Sequence, residues 1–135
     1  MYLVDTNIFL EVMLNQEKAP VVKDFFNRAK MTSLAISDFS LFSIGIIFAR
    51  EKNAGPFLKL VNDDIRASGM RVLSLRLEDF TGIFANVEKY RLDFDDAYQY
   101  TVAERNGLSL ISYDKDFDRT DRRRVFPEDL FRDRI

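Results

Sequence analysis

Short apolar runs separated by stretches of helical periodicity are the feature that most narrows the folds open to this chain. Tyr2-Leu3-Val4, Leu34-Ala35-Ile36, Arg71-Val72-Leu73-Ser74-Leu75 and Leu108-Ser109-Leu110-Ile111-Ser112 each read as a short strand, and Val125-Phe126 offers a fifth. Between them, side chains such as Val21, Val22, Phe25, Phe26 and Ala29, or Phe80, Ile83, Phe84, Val87 and Tyr90, recur at the spacing of a helix facing a core. Strands that alternate with helices pair in parallel, and the crossover helices cover both faces of the sheet. The expectation is an α/β fold, three-layered as α/β/α around a central mostly parallel sheet, with residues 1–135 forming a single domain.

Local signals place the helices. Asp5-Thr6-Asn7, side chains that favour helix caps, precede Ile8-Phe9-Leu10 and Val12-Met13-Leu14, so the first strand runs into a helix. Pro20 marks the start of a second helix, and Ser37-Asp38 caps an apolar one from about Phe39 to Glu51. Asn53-Ala54-Gly55-Pro56 breaks that helix; Phe57, Leu58, Leu60, Val61 and Ile65 carry another up to Gly69. A last helix spans about Asp95 to Arg105 and stops at Asn106-Gly107, a pair suited to a left-handed C-cap.

Composition then limits the chemistry. With no cysteine and no histidine, thiol catalysis, imidazole general-base chemistry, disulfides and the usual zinc ligands are excluded together. Carboxylates, hydroxyls, Lys and Arg remain. Residues 1–14 carry Asp5 and Glu11 and lack the basic start and apolar run of a signal peptide, and no stretch reaches the ~20 apolar residues of a membrane span. A cytoplasmic protein without membrane contact is expected.

Ligands of a parallel sheet bind beyond the carboxyl ends of its strands, so the residues just after each strand are the informative ones. The first strand ends at Asp5, the fourth is followed by Asp114 and Asp116, and the helix before the fourth begins with Asp93, Asp95 and Asp96. Singly, each has an ordinary explanation. Asp5 could cap a helix, Asp93, Asp95 and Asp96 could answer a helix dipole, and Asp114 could close an Asx-turn. Brought together by one sheet, they would repel one another unless a cation is present or one of them keeps its proton. Mg²⁺ or Mn²⁺ suits such a set, because both prefer oxygen ligands and need neither His nor Cys. Hydrolysis of a phosphodiester is the reaction this inventory fits.

The net charge of −2 gives no basic footprint for nucleic acid. Basic charge is densest at Arg119, Arg122, Arg123 and Arg124, directly after the acidic stretch. These arginines could contact phosphate or could simply be solvated.

Val4-Asp5-Thr6-Asn7 after an amino-terminal strand, Asp96-Ala97 opening a helix that continues through Ala103-Glu104-Arg105-Asn106-Gly107-Leu108, and Ser112-Tyr113-Asp114-Lys115-Asp116-Phe117 after the next strand resemble PIN domains in order and spacing. The resemblance implies a Mg²⁺- or Mn²⁺-dependent ribonuclease, often the VapC-like toxin of a toxin–antitoxin pair with RNA as substrate and an antitoxin protein as partner, and often a homodimer. It further implies Asp5, Asp96 and Asp114 as catalytic metal-site acids, Asp116 as a further metal ligand, and Asn7 and Ser112 as polar supports. One position departs from the pattern: in the helix after the second strand, where the family usually carries an acid, stands Ser43. Asp38, five residues earlier, falls on another face.

Two function classes therefore follow: an active metal nuclease, and a PIN-like module that has lost hydrolysis and binds RNA or protein. A receiver-like domain phosphorylated on aspartate would also place acids at strand ends. It would want an acidic pair at the first strand, whereas Asp5 is followed by Thr6-Asn7, and a phosphoacceptor Asp after the third, which here ends Leu73-Ser74-Leu75-Arg76.

Overall fold

The computed structural model describes residues 1–131; residues 132–135 of the expected domain lie outside them. Four strands, β1 (Tyr2–Val4), β2 (Leu34–Ser37), β3 (Arg71–Leu73) and β4 (Ser109–Ile111), form one sheet in the order β3-β2-β1-β4. Every pairing is parallel, with Leu3 opposite both Ala35 and Leu110. The helices are α1 (Thr6–Met13), α2 (Ala19–Arg28), α3 (Asp38–Arg50), α4 (Gly55–Lys59), α5 (Phe80–Tyr90) and α6 (Phe94–Asn106).

Strand alternation divides the core in two, because successive side chains point to opposite faces. Leu3, Ala35 and Leu110 join Ile83, Tyr90, Ala97, Tyr100, Val102 and Phe117 on the face covered by α5 and α6. Val4, Leu34, Ile36 and Ile111 join Ile8, Phe9, Val22, Phe25, Ile44, Phe48 and Leu60 on the face covered by α1 to α4. The outcome is the expected three-layer α/β/α fold.

Three expectations about elements need adjustment. Val125 makes one parallel bridge to Ile111 and no strand, since Pro127 two residues on begins a helical turn and stops the pairing. β3 ends at Leu73, short of Leu75, whose backbone N–H is drawn instead to the Tyr98 hydroxyl at 3.1 Å. The helix expected through Gly69 starts as α4 but widens to π-helical geometry over Leu60–Ala67. No helix among the described residues is long and apolar enough to cross a membrane.

The stops are locally determined. Gly107 adopts φ +64° at the end of α6, and the Leu108 N–H reaches back to the Ala103 carbonyl at 2.9 Å, closing the helix by a left-handed cap that turns the chain into β4. α3 begins where the Ser37 hydroxyl accepts from the Ser40 N–H at 3.0 Å, so Ser37 is the cap and Asp38 its first-turn acid. Asp38 instead accepts from the Tyr98 hydroxyl at 2.8 Å.

Candidate functional site

The carboxyl ends of β1 and β4, the central and outer strands of this half of the sheet, open beside the amino terminus of α6. The Asp5 N–H continues the ladder to the Ile111 carbonyl at 2.9 Å, which sets Asp5 beside Ser112. A cleft of about 260 Å³ there is lined by Asp5, Asn7, Ser43, Asp96, Gln99 and Asp114, among others. Asp96, Asp114 and Asp116 each present a carboxylate oxygen within 4.8 Å of the others. The sheet thus gathers acids from α6 and from the segment after β4. Asp5 lies outside that mutual group but lines the same cleft. Asp95 lines it too, while Asp93 is the backbone N-cap of α6 with no side-chain capping bond.

Electrostatics register the crowding. Asp96 is raised from its ordinary 3.8 to about 7, first by burial and then by the neighbouring Asp114 and Asp5 and a hydrogen bond with Asp114. Asp5 is also raised, chiefly by burial, against the lowering effect of its hydrogen bonds from Ser112, Gln99 and the Thr6 backbone. The ordinary explanations hold alongside the functional one. Asp5 accepts from the Thr6 N–H at 2.8 Å as the cap of α1, and Asp114 accepts from the Asp116 N–H at 2.9 Å as an Asx-turn.

A polar network supports the acids. Ser112 donates to Asp5 Oδ2 at 2.6 Å and accepts from the Asp114 N–H at 2.9 Å, so one hydroxyl links two candidate acids. Asn7 spans Ser112 and the Tyr113 N–H, both at 3.4 Å. Sequence reasoning missed Gln99, which is 2 % exposed and donates to Asp5 Oδ1 at 2.9 Å and Ser40 Oγ at 2.7 Å. A signal existed: Gln99 stands three residues after Asp96, one helical turn on, where an apolar side chain would otherwise face the core.

Ser43 lines the same cleft as Asp5, Asp96 and Asp114. The apolar helix α3 is only partly core. Ile44 and Phe48 are buried, but Phe42 and Ile46 are exposed.

Most of the arginine run holds the backbone. Arg119 donates to the carbonyls of Tyr90 and Arg91 and to Asp116 Oδ1 at 3.1 Å, which ties the turn before α6 to the acid cluster. Arg122 donates to the Leu108 carbonyl at 2.8 Å. Arg124 pairs with both oxygens of Asp118, donates to the Tyr113 carbonyl and lies over the Phe126 ring.

Oxygen donors, net negative charge and one acid that resists ionisation are the conditions a hard divalent cation would relieve, so the residues present fit such an ion. A larger hollow of about 620 Å³ lies between α1, α2 and α4, lined mainly by Phe9, Met13, Phe26, Met31, Pro56 and Leu60 with Lys23, Lys59 and Asp64. Its lining contains none of the acids gathered at the carboxyl ends of β1 and β4.

No curated protein matches the chain in sequence. Solved structures match its fold. A toxin–antitoxin complex from Klebsiella pneumoniae aligns with a TM-score of 0.73 at 19% identity, over 94% of this chain and 98% of that one. Mycobacterium tuberculosis VapC20, described as a sarcin–ricin loop cleaving toxin, aligns at 0.71 and 15% identity, over 87% and 93%. FitAB bound to a DNA fragment aligns at 0.77 and 17%, over 96% and 97%. The PIN domain family matches residues 2–123, which includes all three acidic segments, and the chain belongs to that family.

Proposed function

We propose that this protein is a Mg²⁺- or Mn²⁺-dependent ribonuclease that hydrolyses RNA phosphodiesters, and that it is the toxin of a toxin–antitoxin pair. The observation that carries this is the approach of Asp96, Asp114 and Asp116 to within 4.8 Å of one another, the first two lining a cleft that Asp5 also lines. Asp5, Asp96, Asp114 and Asp116 would hold the ion. When bound, such an ion polarises a phosphoryl oxygen and makes a bound water more acidic. The chain's own residues contribute position: Ser112 and Asn7 fix Asp5 relative to the Asp114 turn, and Arg119 anchors Asp116 to the loop before α6.

The toxin reading is supported by the similar structures, which include a toxin–antitoxin complex, a sarcin–ricin loop cleaving toxin and FitAB on DNA. An antitoxin protein, a second copy of the chain as homodimer partner, a cytoplasmic location and a single domain over residues 1–135 belong to the same proposal. Exposed Phe42 and Ile46 on α3 and Phe84 on α5 leave apolar surface that an assembly would cover.

A second reading, a PIN-like module that binds RNA or protein without cutting, is favoured by Ser43, a neutral hydroxyl in the acidic cleft. Incubation of mixed RNA with the purified protein, with Mn²⁺, Mg²⁺ or a chelator, separates the two. The nuclease predicts metal-dependent cleavage that Asp96→Asn abolishes. Retention of RNA without cleavage would replace it with the binding module.

A further inference from the structure

Asp5 is almost wholly buried but lines the acidic cleft, and which of its oxygens is left free for an ion there is set by its neighbours. A carboxylate has about four lone-pair positions. On Oδ1, two are taken, by the Thr6 N–H at 2.8 Å and by Gln99 Nε2 at 2.9 Å. On Oδ2, one is taken, by the Ser112 hydroxyl at 2.6 Å.

Gln99 has no freedom in this arrangement. Its Oε1 accepts from the Ser37 hydroxyl, and its second amide hydrogen goes to Ser40 Oγ at 2.7 Å. Ser37 in turn accepts from the Ser40 N–H, and Ser40 Oγ lies 2.7 Å from Thr6 Oγ1. A flipped amide would face its carbonyl oxygen against the Asp5 carboxylate and leave Ser37 without its acceptor, so the network admits one orientation. The network also joins the end of β2 to α1, α3 and α6.

From this we infer that Gln99 is a positioning residue for the metal site: together with the Thr6 N–H it saturates Oδ1, so that Asp5 has a lone pair left for a cation on Oδ2 alone. The inference rests on the metal-site reading above. It goes further in naming a neutral side chain on α6 that sets the coordination mode of an acid on another element. Hydrogen-bonding partners of metal ligands commonly govern affinity by 10- to 100-fold when removed, which sets the size of the expected effect.

The test is Mn²⁺ binding to the folded protein, followed by the loss of the free-ion electron paramagnetic resonance signal, in wild type, Gln99→Met, Asp5→Asn and the double variant. Gln99→Met keeps the length of the side chain and removes its donors. It is expected to raise the Mn²⁺ dissociation constant ~10-fold. Because the effect passes through Asp5, adding Gln99→Met to Asp5→Asn is expected to change the constant less than about twofold. A purely structural role predicts a lower melting temperature with the wild-type dissociation constant, and that result overturns the inference. So does a full ~10-fold loss persisting on the Asp5→Asn background, which would mean Gln99 acts by another route. If Gln99→Met does not fold, Ser37→Ala serves in its place, since it releases Oε1 and the amide can turn away from Asp5. Failure of wild type itself to bind Mn²⁺ would sink the metal-site reading and this inference together, whereas binding that ignores Gln99 and Ser37 would sink this inference alone.

Discussion

Without metal, the Asp96 carboxylate should cost the fold stability, and replacing it by Asn should return that stability in a pH-dependent way. Its pKa in the fold is raised from 3.8 to about 7. A rise of that size corresponds to roughly 4 kcal/mol if fully expressed. Asp96 is half-buried, so water and salt screen part of the interaction, and about 1–2 kcal/mol is the expected remainder. A folded-state value above the unfolded one means that the cost is absent below about pH 4, grows as pH rises through 7, and is full above it. Urea or thermal melts with chelator should therefore show Asp96→Asn matching wild type below about pH 4 and exceeding it at pH 8. At pH 8 the gain should be about 1–2 kcal/mol, or about 4–8 °C for a chain of this size. Saturating Mn²⁺ should reverse the order at pH 8, because wild type then has an ion to stabilise and the variant has lost a ligand. A variant that is less stable than wild type in chelator at pH 8, or one whose gain is the same at both pH values, would refute the claim that Asp96 sits in a strained acidic cluster.

Mn²⁺ at about 100 times its dissociation constant should stabilise wild type by roughly 2.7 kcal/mol, and Asp5→Asn and Asp114→Asn should each diminish that shift in thermal melts. Ser43→Glu should tighten Mn²⁺ binding and lower metal-free stability, since Ser43 lines the cleft; equal destabilisation with and without Mn²⁺ would show a buried, unpartnered carboxylate instead. Gly107→Ala should cost about 1 kcal/mol by denaturant unfolding, because the position holds φ +64° while an added Cβ would meet nothing within 4 Å. A neutral outcome there would mean that the end of α6 relaxes out of the left-handed cap.

Elements whose cause is local were legible in the sequence. The caps at Asp5 and Ser37, the stop at Gly107 and the four strands lie where turn chemistry and apolar runs place them. Parallel topology followed from alternation, and with it the gathering of Asp5, Asp96 and Asp114 along one cleft, whereas the close approach of Asp116 rather than Asp5 to the other two did not. Features decided by distant partners were not legible. Gln99 reads as an ordinary helix residue between Tyr98 and Tyr100 until Asp5, 94 positions away, is seen to accept its hydrogen bond. The same holds for the arginines, whose spacing says that charge is concentrated but not that Arg119, Arg122 and Arg124 are occupied with carbonyls and acids. The bridge at Val125 and the short β3 show the reverse case, where apolar residues favoured strands that neighbouring contacts cut short.

The order β3-β2-β1-β4 has a consequence for the timing of assembly. β1, first in the chain, pairs with β4 across 107 positions, Tyr2 opposite Ser109. During synthesis at about 5–20 residues per second, the partner strand arrives roughly 5–20 s after β1 has been made. Until then β1 can pair with β2 alone, and the backbone bond from Asp5 to Ile111 cannot form. Asp5 meets the segment bearing Ser112 and Asp114 only when the sheet closes. Loop-closure entropy for so long a connection also makes that closure a late step in refolding. The cleft is consequently among the last parts of the molecule to come into being, and a ribosome-bound chain that has not yet extruded β4 carries helices and three of the four strands but no acidic centre.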